Sequence, residues 1–272
     1  MLDLNPMTTV AREALLAPAL TQSVPAAFAE SPDARRTSKH YQFISTARVI
    51  AALCEAGFEP TRAQQARVRG GGSAHHARHM IRFSIIKQSL RLTDTIPELI
   101  LINSHDGTSA YTLRAGLYRP VCTNGLVTQL GDFGLVHVPH RGNIIHNVVE
   151  AALRIAQGFG HIGELVERMA GRQLDDGERY SLAGAALKLR YQHPGQHIPV
   201  SPAQLLMARR SADHGCSLWL TYNVIQNNLI AGGLHGHSPS GRASRTRAIR
   251  AIREDVRLNV GLWNQAVTLL NA

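Results

Sequence analysis

The stretch from Phe133 to Ala156 reads FGLVHVPHRGNIIHNVVEAALRIA, and its hydrophobic period changes midway. Phe133–Val138 has the spacing of a strand, whereas from Asn143 onward Ile144, Ile145, Val148, Val149, Ala152, Leu153 and Ala156 recur as one helix face. Upstream, strand patterns are predicted at Tyr41–Ile44, Thr61–Arg69, Ala77–Ile85, Pro97–Asn103 and Ala110–Pro120, with one helix at Ala47–Glu55. The connections Gly70–Ser73, His105–Gly107 and Asn124-Gly125 carry turn residues. Downstream the periodicity predicts helices at Ile162–Gly171, Glu178–Tyr191, Pro202–Arg209, Ser217–Ala231 and Ala248–Leu270. Strands first and helices second make an α+β fold, with a hairpin-rich antiparallel sheet followed by a mostly helical half. The expected organisation is a weakly ordered arm over 1–37, a sheet core over 38–160 and a helical region over 161–272.

The chain has 272 residues, 44% apolar and 18% charged, which suits a folded globular protein rather than a disordered one. No run of 18 apolar residues exists, so a membrane helix is not expected. The first thirty residues lack the basic and apolar blocks of a secretory signal, which points to the cytoplasm. Cys54, Cys122 and Cys216 are too few and too far apart for a disulfide framework or a zinc motif.

Charge is the distinctive property. The net charge is +10, and of 29 cations only Lys39, Lys87 and Lys188 are lysines. A GC-rich genome yields such a ratio by itself, but it does not decide where the charge sits. Between Arg35 and Leu92 eleven cations face only Glu55 and Glu59. There the strands around the glycine tip would present Arg67 and Arg69, and Arg78 and Arg82, on outward faces. A second set, Arg242, Arg245, Arg247 and Arg250, follows the glycine-rich Gly232–Gly241 stretch and enters the last predicted helix. Arginine binds phosphate bidentately, so both sets are candidate nucleic-acid contacts. The plain alternative for each is a solvated, salt-bridged surface.

The sequence carries few motifs of enzyme chemistry. No P-loop, dinucleotide fingerprint or nucleophile elbow is present, so no cofactor is expected. The pairs His76/His79, His137/His140, His193/His197 and His235/His237 have chelating intervals without the Glu of a zinc-hydrolase helix, and no metal is expected. Glu98, His105 and Asp106 could make an acid–base cluster, although Asp106-Gly107 reads first as a turn.

Several ordered strings carry a family resemblance. Asn103–Tyr111, Ala115–Arg119, Val121–Val127, Val138–Asn143 with His146, Ile225–Ile230, Gly232–Leu234, Arg245–Ala248 and Leu258-Asn259 with Leu262-Trp263 resemble the YafZ/YfjQ family of plasmid- and prophage-borne proteins. The resemblance runs from Ser38 to Leu270 and marks Asn103, His105, Asp106, Tyr111, Arg119, Asn124 and His140 as motif residues. It implies a bacterial cytoplasmic protein of mobile elements and transfers no catalytic residue. Phage annealing proteins of the RecT, Red-beta and ERF kinds, often ring-forming, have a similar order of sheet, basic groove and helical tail. The resulting expectation is a non-catalytic DNA-binding homo-oligomer that favours and anneals single strands in plasmid or prophage recombination. Only 14 aromatics exist, so its base-stacking platforms would come from Tyr111, Tyr118 or arginine planes. The alternatives are an interaction or anti-defence protein and, after it, a nucleic-acid enzyme.

Overall fold

Leu99-Ile100-Leu101-Ile102 is a continuous apolar run, the pattern of a strand covered on both faces. In the computed structural model it lies inside an antiparallel sheet. The structure describes residues 20–68, 73–85, 94–120, 124–128 and 135–272. The chain divides into two units, one of residues 1–91, 96–118 and 129–159, the other of 92–95, 119–128 and 160–272.

The first unit contains α1 (Thr46–Glu55), β1 (Phe58–Gln65), β2 (His79–Ile85), β3 (Ile96–Asn103) and β4 (Tyr111–Arg119). Then come β5 (Asn124–Val127), which belongs to the second unit, and β6 (Leu135–Val138) and α2 (Ile144–Gln157) of the first. The strands pair antiparallel in the order β1-β2-β3-β4, and β6 also pairs with β4. Strand alternation puts Ile81, Phe83, Leu99, Leu101, Leu113 and Leu117 on one face. That apolar face is buried, and α1 and α2, whose Val49, Leu53, Val148 and Ile155 are buried, pack against strands of this sheet.

The opposite face departs from the sequence expectation. β2 lies between two strands and is buried on both faces, so Arg82 is 3% exposed rather than turned to solvent. Its Nη1 donates to Glu98 Oε2 at 2.9 Å, and Thr61 Oγ1 donates to Glu98 Oε1. Arg62, also buried, lies 3.6 Å over the Tyr118 ring. Period two tells which residues share a face, not whether water reaches it.

Three further boundaries differ from expectation. Tyr41–Ile44 is not a strand, because its groups are used singly: Gln42 N–H donates to His140 O, and Ile44 O accepts from Tyr111. Asn124-Gly125 opens β5 instead of forming a turn. Part of the expected arm is packed: Val24, Ala26 and Ala27 are fully buried, and Ala26 N–H donates to Gln65 Oε1. Residues 1–19 of that arm lie outside the described residues.

The second unit holds α3 (Phe159–Gly171), α4 (Asp176–Arg190), α5 (Pro202–Leu205), α6 (Leu218–Ala231), β7 (His235–His237), β8 (Ala243–Arg245) and α7 (Ile252–Leu270). Asp175 caps α4 in a reciprocal box with Glu178. α6 is buried nearly all round and packs against α4 and α7. Its polar side chains stay inside because they find partners: Gln226 donates to Asn259, and Asn228 to the Leu205 and Met207 carbonyls. α6 stops at Gly232, at φ 64°, where a Cβ would stand 2.6 Å from the Arg247 backbone. Ile249 N–H is taken by Ile230 O, so α7 begins at Ile252 instead of Ala248.

The Arg82–Glu98 pair generates the first prediction. Glu98→Ala removes the carboxylate that meets the buried Arg82 guanidinium and should cost about 3–5 kcal/mol in urea unfolding. A loss below about 1 kcal/mol, the worth of an exposed pair, would contradict this assignment.

Candidate functional site

Most motif residues in the first unit meet at one end of the helix-covered sheet face. Asn103 ends β3, Tyr111 starts β4, His79 starts β2 and Thr46 starts α1. Thr46 Oγ1 lies 2.9 Å from His79 Nε2, 3.1 Å from His105 Nε2 and 3.1 Å from Asn103 Nδ2. The tautomers follow from these contacts. His79 Nδ1 is 3.0 Å from Ala77 O, which only accepts, so the proton is on Nδ1. Burial pushes the His79 pKa down to about 4, so the ring is neutral and Nε2 accepts from Thr46. The hydroxyl then accepts from Asn103 and from His105 Nε2–H. Burial, helped by neighbouring imidazoles, also holds His105 down at about 3, leaving its Nδ1 as a bare, buried lone pair.

The network continues outward. His140 Nε2 donates to Asn103 Oδ1 at 3.0 Å and to Ser109 O at 3.2 Å. Its ring stacks on Tyr41 at 4.4 Å, and burial lowers its pKa. Tyr111 is fully buried, and its hydroxyl donates to Ile44 O at 2.7 Å. Asp106 closes the predicted turn, with Gly107 at φ 75° and Asp106 Oδ1 accepting from Ser104 Oγ, Thr108 N and Thr108 Oγ1. Burial alone would raise the Asp106 pKa, but the bonds from Thr108 and Ser104, with Arg36 nearby, hold it below the usual carboxylate range. Asp33 N–H donates to His105 O, which ties the packed arm to the same turn.

This cluster is not the acid–base trio considered from sequence. Glu98 is on the other sheet face with Arg82, and His105 is too weak a base at neutral pH to take a proton. The network's chemistry is positional: it fixes α1, β2, β3 and the Ser104–Ala110 turn together. Among the described residues no group of three His, Cys, Asp or Glu side chains could hold a metal ion.

Two motif residues fall in the second unit. Arg119 is 2% exposed and pairs with Asp94 and Asp213, while Trp219 Nε1 donates to Asp94 Oδ1 at 3.0 Å. Asn124 is the first residue of β5. Sequence reading missed Thr46, Asp94 and Asp213 as partners, since nothing local marks a hydroxyl or carboxylate that meets its partner across many residues.

The arginine sets fare differently. Arg67 is exposed, and Arg69 lies outside the described residues. Arg78 is half-buried and donates to Thr108 O at 3.1 Å, and Arg82 is buried in its ion pair, so Arg78 and Arg82 do not supply the solvent-facing cationic row expected of their strand. The second set stays exposed: Arg242, Arg245, Arg247 and Arg250, joined by Arg253. Its backbone is firmly held. Thr246 N–H donates to Leu234 O, Leu234 N–H donates to Thr246 Oγ1, Gly233 N–H donates to Thr246 O, and Arg190 donates to Arg247 O. Glu254, the first acid after this run, is engaged by Arg257 at 2.6 Å. Because α7 starts at Ile252, Arg247 and Arg250 precede the helix and do not lie on a helical stripe.

A family model described as "Domain of unknown function (DUF932)" matches residues 35–263. Over 252 residues the chain is 41% identical to "UPF0380 protein YafZ" and 40% identical to "UPF0380 protein YfjQ", both of Escherichia coli (strain K12). Each alignment covers 92% of this chain and 90% of the relative. No solved structure matches. The chain belongs to the DUF932 family, as the motif strings implied.

The neutral histidines generate the second prediction. Their folded pKa values lie below the ordinary value near 6.5, so the unfolded chain takes protons first and stability falls as pH drops from about 6.5 toward 4. Urea unfolding at several pH values should show that slope, and His105→Gln should flatten it. An unchanged slope in that variant would place the acid sensitivity elsewhere.

Proposed function

We propose that this DUF932 member is a non-catalytic DNA-binding protein whose phosphate contacts come from the arginines between Arg242 and Arg253. One observation carries the reading: Arg242, Arg245, Arg247, Arg250 and Arg253 are all exposed within twelve residues of firmly held backbone, and the following Glu254 is engaged by Arg257. A cation series on a fixed backbone can meet successive phosphates with little ordering cost. The resemblance to plasmid- and prophage-borne proteins is in keeping with a DNA-handling role.

The tyrosine platforms considered for single-strand binding gain no support. Tyr111 is fully buried with its hydroxyl committed, and Tyr118 lies under Arg62. The affinity of this reading therefore rests on phosphate neutralisation rather than on base stacking.

Binding to a fluorescent 30-base-pair duplex should weaken steeply with salt, by about 0.9 in log K per log salt for each phosphate neutralised. Replacing Arg242, Arg245 and Arg247 together with Ala should reduce that slope by up to about 3 while leaving thermal unfolding unchanged. Affinity that is constant between about 50 and 200 mM salt would contradict phosphate contact. Retained affinity after reversal of these arginines to Glu would favour a protein partner instead.

A further inference from the structure

The exposed arginines begin on a structure of its own kind, the two-stranded antiparallel ribbon β7–β8. Its register pairs His235 with Arg245, Gly236 with Ser244 and His237 with Ala243. Alternation is clean: His235, His237, Ala243 and Arg245 are exposed, whereas Gly236 is buried and Ser244 half-buried. The inner face is pressed onto the unit so closely that a Cβ on Gly236 would stand 2.1 Å from Pro199 O. His237 N–H donates to the same carbonyl, and Gln204 Nε2 donates to His235 O at 2.7 Å.

The tip is equally fixed. Ser238 N–H donates to Arg242 O, Gly241 N–H returns to Ser238 O, and Arg242 N–H donates to Ser238 Oγ. Between the donors the exposed side chains are Pro239, Ser240 and Ala243, none of them long, with Gly241 at φ 77° turning the chain. A solvated loop needs neither this bracing nor this sorting of imidazole and guanidinium groups to one side.

We propose that the β7–β8 ribbon enters the major groove of B-form duplex DNA, with Arg245, His235 and His237 toward base edges and Arg242 and Arg247 on the bordering phosphates. This inference rests on the DNA-binding reading above and adds the form of the target. The dimensions agree. Two paired strands lie about 4.8 Å apart and rise about 3.3 Å per residue, and a major groove about 12 Å wide and 8.5 Å deep admits such a ribbon. Arginine and histidine donors match the O6 and N7 acceptors that guanine presents there. The small tip residues permit close approach. A-form RNA duplexes have a deep, narrow major groove that excludes side chains, and a lone single strand has no groove.

The experiment uses the full chain and four probes of one sequence at fixed salt. These are a plain DNA duplex, the same duplex carrying glucosylated 5-hydroxymethylcytosine, an RNA duplex and a DNA single strand. The glucose fills the major groove from cytosine C5 and leaves the phosphates as they were. The expected result is at least tenfold weaker binding to each of the last three than to the plain duplex. Equal affinity for plain and glucosylated duplexes, with salt sensitivity intact, overturns the groove assignment and leaves phosphate contact standing. Single-strand binding as tight as duplex binding overturns it as well. Absence of binding to every probe overturns both this inference and the reading on which it rests.

Discussion

Thr46 Oγ1 accepts from Asn103 and His105 and donates to His79, so the start of α1, the start of β2, the end of β3 and the turn after it converge on one hydroxyl. The arrangement is coherent only if both imidazoles are neutral and hold opposite tautomers, and their burial keeps them so. Removing one partner of such a network strands a buried donor or acceptor, at a cost of about 1–3 kcal/mol each. The same end of the sheet carries Asn103, His105, Asp106, Tyr111 and His140, which places these motif residues in the architecture of the first unit.

The net charge of +10 separates into two populations once burial is known. Arg82 and Arg119 are interior and answered by Glu98 and by Asp94 with Asp213. Arg62 covers an aromatic ring. Each of those cations is buried within its own unit. Arg242 through Arg253 are the reverse: their backbone is bonded and their side chains are exposed. A basic isoelectric point speaks to solubility and nonspecific attraction, and only position turns it into an interface.

Much of this was legible in the sequence because periodicity reports local geometry. The change of period at Asn143 gave the start of α2 within one residue, and β2 and β3 were placed within two residues at each end. What periodicity omits is the second side of a strand. Arg82 alternates like an outward residue and is buried because β1 and β3 flank its strand and Glu98 meets its charge. The start of α7 was misplaced for a related reason: Arg247–Ala251 has helical spacing, but Ile230 O claims the Ile249 amide. Of the candidate sites, the turn at Asp106-Gly107 was readable from its residue types. The Thr46 junction was not, because its members come together only through tertiary folding.

The central claim is that the exposed arginines following α6, rather than those of the first sheet, meet DNA. Arginine modification by phenylglyoxal, mapped by peptide mass spectrometry with and without duplex DNA, tests it most directly. The account predicts that DNA protects Arg242, Arg245 and Arg247 and leaves Arg67 as reactive as in the free protein. Protection of Arg67 with undiminished modification of Arg242, Arg245 and Arg247 would contradict it.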